Sequence, residues 1–154
     1  MDTQKSIGKF RLQVKDKDGK KLHDTGWIKN LMVNGGKAQL ALLAGDASAV
    51  PFTYLAVGTS AAANTDVTQT ALTDEITDTG LERTTATVSR VTTTVANDTL
   101  QLTYTWTASG TKTVNEIGIF NASSGVTMLC RGLTGAIALA NTNTLIGTYQ
   151  VQLT

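Results

Sequence analysis

Glu116 is the one carboxylate inside VNEIGIF (Val114 to Phe120), an otherwise apolar, strand-like run. Burying a carboxylate is costly unless the group has a partner or a task. Three tasks fit the residue type: proton transfer, metal ligation, or a structural ion pair. The first two need companions, and the sequence holds few. His23 is the only histidine and Cys130 the only cysteine. A zinc site built on His and Cys is therefore excluded. A serine triad would have only His23 as its base, and no G-x-S-x-G elbow is present. GDASAV and GTSAAAN are small like phosphate loops but lack the GK[ST] that would hold a phosphate. Cys130 has no partner for an intrachain disulfide. Within VTMLCRGL it reads as a small buried hydrophobe.

Carboxylates are the remaining chemistry. Asp74, Glu75 and Asp78 cluster, and Glu82 follows closely. Two acids suffice for a glycosidase. Glycan-cleaving sites also need aromatic platforms, and aromatics are only 5% of this chain. Tyr104, Trp106 and Tyr149 fall on inward positions of their segments. DKDG (Asp16 to Gly19) opens like a calcium loop but lacks the later ligands, including the terminal glutamate. The abundant threonines follow strand alternation with no fixed repeat, so they read as β-formers and not as an ice- or glycan-binding array. The expectation is no catalytic residue, no metal and no cofactor.

The elements that would position these residues are mostly strands. A chain of 154 residues, 41% hydrophobic and 16% charged, is long enough for one domain with a real core and too apolar for disorder. Phe10, Leu12 and Val14 alternate with Lys9, Arg11, Gln13 and Lys15, which predicts a half-buried strand. The Asp-Gly turn after it predicts a hairpin over residues 9–28. Asn30 to Gly45 carries the one helix candidate, near residues 35–44. Asn34 is its expected cap and Gly45 its expected stop. Leu40, Leu43 and Ala44 share a face, which Leu42 widens. VPFTYLAVG reads as a buried strand. Residues 59–76 read as a long surface loop, with one helical turn near Ala71 to Glu75.

After Gly80 the segments alternate and are divided by NDT, ASGTK, NASSG and NTN. VTMLCRGL and GAIAL read as separate strands. Leu100, Leu102, Tyr104 and Trp106 face inward, as do Leu145, Gly147, Tyr149, Val151 and Leu153. Many short strands with frequent turns predict an all-β protein, an antiparallel, jelly-roll-like β-sandwich. Two parts are expected: a basic N-terminal hairpin or arm, residues 1–28, and a single sandwich domain, residues 29–154.

Charge narrows the partners. The formal net charge is +1, which gives no electrostatic case for nucleic acid. Many basic residues precede Ala38, and none lies between Ala38 and Glu82. Lys9, Arg11, Lys15, Lys17, Lys20 and Lys21 are the candidate contacts to an acidic protein partner. The first residues lack an apolar signal core, and no apolar run has the length of a membrane span. The expectation is a soluble chain made in the cytoplasm.

The ordered series LMVNGGKAQLALLAG, PFTYLAVGT, TQTALTDEI, LERT and VNEIGIFNASSGVTML resembles the small structural domains of tailed bacteriophages. It is most similar to the N-terminal domain of tail-collar and tail-fibre proteins. Their pattern runs from a helix through a "VGTG"-like turn, a T-x-L-x-x-E segment and an Arg to E-(I/A)-G-(I/L)-F-(N/D)-A. The resemblance covers roughly Asn30 to Met128. Ser60 replaces the last Gly of the turn, the basic hairpin is outside the pattern, and the final strands align only loosely.

The resemblance implies a non-enzymatic virion protein, located on the surface of head or tail. The shortness of the chain favours a capsid decoration (cement) protein over a tail adaptor. Its expected partners are the major capsid protein or other virion proteins, and copies of itself as a dimer or trimer. A host-glycan or receptor-binding module is the further alternative. Within the pattern, Glu116 becomes half of an ion pair. Arg83, at the pattern's Arg position, is the first choice of partner, with Arg90 and Arg131 next. Gly118 marks a place where a backbone or ring comes close.

Overall fold

The computed structural model describes residues 7–125 and 127–153. Among the described residues, eleven strands form two antiparallel sheets, accompanied by one helix. The strands are β1 (Ile7–Lys15), β2 (Lys21–Asp24), β3 (Ile28–Lys29), β4 (Leu31–Met32), β5 (Tyr54–Gly58), β6 (Thr84–Thr85), β7 (Thr87–Val91), β8 (Thr99–Thr107), β9 (Lys112–Phe120), β10 (Met128–Leu139) and β11 (Thr144–Gln152); the helix is α1 (Asn34–Gly45). One sheet runs β2-β1-β11-β8-β7, with β3 also on β1, and the other runs β4-β10-β9-β5-β6. The chain is an all-β sandwich with one short helix.

Alternation decides what each strand buries. From the first sheet, Phe10, Leu12, Val14, Leu102, Trp106, Leu145, Tyr149 and Val151 enter the core. From the second come Leu55, Val57, Ile117, Ile119, Leu129, Cys130, Ile137 and Leu139. Tyr104 and Leu100 are partly buried against them. Gly132 lies beneath the Phe10 ring of the opposite sheet, where any side chain would collide with it. Burial pushes the Cys130 thiol up to about 12, so it packs and does not react.

The expected N-terminal arm of residues 1–28 is corrected. Residues 1–6 lie outside the described residues. β1 is an interior strand, paired with β11 from Ile7↔Gln152 to Lys15↔Thr144. Its three apolar side chains can be buried only by joining the sandwich, so the hairpin belongs to the domain. Within the hairpin region, the turn after β1 and the short β2 and β3 lie at the sheet edge.

The helix keeps its place but not its caps. Val33 is the N-cap, without a side-chain bond, and Gly45 is the last helical residue before Asp46. Leu40 and Leu43 pack on the core, while Leu42 and Ala44 are exposed. Gly36 lets the helix approach the Leu129 backbone; a Cβ there would stand 2.6 Å from the Leu129 Cα. MLCRGL and GAIAL, expected as parts of separate strands, form one strand, β10. Its register shifts between Leu133 and Ile137, where Gly135 takes a φ of 71°.

Two carboxylates brace exposed turns. The Arg11 guanidinium, bonded at 2.6 and 2.9 Å, and then the Gly26 N–H hold Asp24 well below the usual carboxylate range. The Val95, Thr93 and Thr94 N–H groups do the same for Asp98. Both groups ionise more readily folded than unfolded. Their stabilisation is complete above the unfolded carboxylate pKa, about 4, and is lost as pH falls below it. The denaturant midpoint is expected to drop steadily between about pH 4 and pH 2. Asp24→Asn and Asp98→Asn should each flatten that drop. Unchanged slopes in both variants would show that other groups govern acid unfolding.

Candidate functional site

The second sheet carries chemistry on its outer face. On β9, Ile117 and Ile119 point into the core, so Glu116, Gly118 and Phe120 point away from it. Glu116 is nevertheless fully buried, because residues 59–76 cross over this face as a covering layer. Bends and a bridge between Gly58 and Glu75 replace the helical turn expected near Ala71 to Glu75.

The structure pairs Glu116 with Arg131, the Nε–Oε2 distance being 2.6 Å, and neither side chain is exposed. This corrects the expectation of Arg83. β9 and β10 are neighbours, and Arg131 stands opposite Gly118, one outward position along from Glu116. The pair's other side-chain hydrogen bonds go to the covering layer. Glu116 Oε2 also accepts from the Thr73 N–H at 3.1 Å, and Oε1 accepts from the Asp74 N–H at 2.8 Å. Arg131 donates through Nη2 to the Ala62 carbonyl at 3.1 Å and through Nη1 to the Ala63 carbonyl at 3.3 Å. Asn64 donates to the Arg131 carbonyl, and Asn115 to that of Thr59. The pair is a clasp: a cation for two carbonyls and an anion for two N–H groups.

Small residues make the clasp possible. A Cβ on Gly58 would strike the Glu116 carboxylate. A Cβ on Gly118 would crowd Leu72 and the Phe120 ring, the close approach expected there. Leu72, Ala56, Val33, Phe120 and Met128 form a second apolar cluster under the layer.

Arg83 holds the other end. It grips Glu75 through Nε at 2.9 Å and Nη2 at 2.6 Å. Its Nη1 donates to the carbonyls of Ala122 and Gly125 in the β9–β10 turn. Its guanidinium carbon lies 3.6 Å from the centre of the Phe120 ring. Arg90, the other alternative, is exposed on β7.

The acidic cluster is also tied into the chain. Asp74 accepts from the Thr59 hydroxyl, Asp78 pairs with Lys112 at 2.8 Å, and Glu82 accepts from the Gly80 N–H. The Lys112 bond, followed by its charge, lowers the Asp78 pKa. Two open clefts adjoin there, of about 320 Å³ beside Arg83 and Glu82 and about 230 Å³ beside Asp74 and Lys112. Among the described residues, no three His, Cys, Asp or Glu side chains group as metal ligands, and no helix is long and apolar enough to cross a membrane.

The candidate contacts are spread along one flank. Lys17, Lys20 and Lys21 are exposed, Lys9 and Lys15 are half-buried, and Arg11 is held by Asp24. Sequence reasoning missed Arg131 as first partner, and with it the roles of Gly58, Ala62, Ala63 and Thr73. The small residues of VGTSAAAN were the available signal, since only a short side chain lets a carbonyl reach a buried guanidinium.

Compared with protein-family models, curated proteins and solved structures, the chain shows no significant match to any of them.

Removing one half of a buried pair leaves the other charge stranded, at about 3–5 kcal/mol. Glu116→Gln and Arg131→Met are each expected to cost that much in urea unfolding. A hydrophobic replacement of a buried pair is often neutral, but here it would also strand backbone groups of the layer. The double variant Glu116→Leu/Arg131→Met should therefore keep a folded core yet be cut by protease within residues 60–73. Single variants within about 1 kcal/mol of the parent would refute the clasp.

Proposed function

We propose that this chain is a non-enzymatic structural protein of a tailed-phage virion, acting as a decoration (cement) protein on the outside of the head. The observation that carries the reading is the convergence of the series that resembles tail-collar and tail-fibre domains. Glu116 of NEIGIF receives N–H groups from TALTDEI. Arg83 of LERT grips Glu75 of the same segment and covers Phe120. Gly58 of VGT leaves room for the Glu116 carboxylate. Segments far apart in sequence thus form one packed unit, which supports reading them as one motif and not as chance matches.

A cement protein needs a rigid body and a contact surface that can be repeated. Many copies, each bound modestly, bridge neighbouring shell subunits, and multivalency multiplies the effect. The packed layer supplies rigidity, and the lysine-rich flank of β1 and β2 supplies a contact surface. Copies of the chain associate as a dimer or trimer around the shell's own symmetry. The resemblance to tail-collar domains favours a tail adaptor as the second reading.

Deleting residues 1–28 would not test this, because it removes β1 from the core. The test is addition of the purified chain to virions that lack it. Decoration predicts co-sedimentation with the particles, label over the head in immuno-electron microscopy, and heads that release their genome at a higher temperature. Label confined to the tail would select the adaptor reading. A chain left wholly in the supernatant would sink both.

A further inference from the structure

The flank built from β1, β2 and β3 carries like charges placed against each other. The pairing sets Lys9 directly opposite Lys29, and Lys15 opposite Lys21 just past a register shift. Directly opposed like charges destabilise a sheet. Lys17 and Lys20 extend the row into the exposed turn. Little nearby charge answers them. Asp24 serves Arg11 and, at 3.3 Å, Lys21. The Asp16 carboxylate is occupied by the Asp18 and Lys20 N–H groups. Among the described residues, Lys9, Lys15, Lys17, Lys20 and Lys29 form no ion pair.

The imbalance is regional. Residues 7–30 hold seven basic and three acidic side chains, a net +4. Residues 31–154 hold five basic and eight acidic ones, a net −3. Apolar area accompanies the charge. Trp27 is 45% exposed and Leu22 is 51% exposed. The Lys9 ammonium lies 4.7 Å from the centre of the Trp27 ring. An exposed aromatic with a polar, charged rim is the composition of a protein-binding patch.

We propose that this flank is a docking surface for an acidic protein surface, whose carboxylates sit between the opposed lysines and relieve their repulsion. A protein partner fits better than nucleic acid. The flank's one arginine is already occupied, the lysines are interleaved with Asp16 and Asp18, and Leu22 offers nothing to a phosphate backbone. This deepens the decoration reading by naming the partner's chemistry. Its test needs no particle, so the two can fail separately.

The full chain is titrated with poly-L-glutamate and, separately, with duplex DNA at the same ionic strength. The expected result is salt-sensitive binding of poly-L-glutamate and much weaker binding of DNA. Lys17→Glu/Lys20→Glu/Lys29→Glu should weaken poly-L-glutamate binding about tenfold or more. Lys29→Thr supplies the second readout. Removing one member of an opposed pair should raise the free protein's melting temperature by about 1–2 °C while weakening that binding. Failure of the parent to bind poly-L-glutamate, or equal binding of DNA, would overturn the proposal. So would a Lys29→Thr protein that precipitates with its binding unchanged, because the lysines would then merely guard a sheet edge.

Discussion

The buried Glu116–Arg131 pair is the constraint on which the second sheet depends. A loop laid over a sheet must satisfy its own backbone groups away from water. Regular ladders cannot do so, since the sheet spends its hydrogen bonds sideways between strands. Two side chains rising from neighbouring strands supply what is missing, a donor fork for carbonyls and an acceptor for N–H groups. Their charges offset one another, so neither is left uncompensated under the layer. Each residue around them then has a task. Gly58 and Gly118 give clearance, Leu72 seals the apolar side, and Arg83 ties the end of the layer to the β9–β10 turn.

The two outer faces of the sandwich consequently differ. That of the second sheet is covered by its own chain. That of the first is polar and open: Gln101 and Gln150 bond across β8 and β11, and Lys9 and Lys15 project from β1. One sheet is committed to internal order, and the other leaves its side chains open to solvent. The proposed docking role would use that division, because a rigid body loses little conformational entropy when it docks.

Strand patterning was legible in the sequence wherever a strand had one wet face. Phe10, Leu12 and Val14, and the alternation of β8 and of β11 up to Val151, predict the core directly, because a period of two has one burial solution. Leu153, expected inward, lies past the end of β11 and is exposed. Partners across the sheets were not legible. β1 pairs with β11, at the far end of the chain, and nothing local to the hairpin announces it. The partner of Glu116 was misassigned because the resemblance pointed to Arg83, and alternation along β10 does not correct it. The register shifts between Met128 and Cys130, and both Leu129 and Cys130 face the core. Strict alternation from Met128, which lies opposite Phe120, places Arg131 on the inner face, away from Glu116. The bulge moves it to the outer face. One inserted residue decided the pair, and no composition or period reports it.

The same geometry explains how opposed lysines can persist. Repulsion between two solvated ammonium groups is weak and is screened further by salt. A sandwich whose interior is closed by Phe10, Trp106 and Tyr149, and whose second face is clasped, can carry two such pairs without unfolding. At one site, relief of that repulsion by a carboxylate is equally small. It becomes decisive when many identical sites engage together, because each copy already held raises the effective concentration for the next contact. Weak, repeated charge contacts of this kind are what the proposed decoration of a lattice would use, whereas seizing a single target would ask far more of each contact.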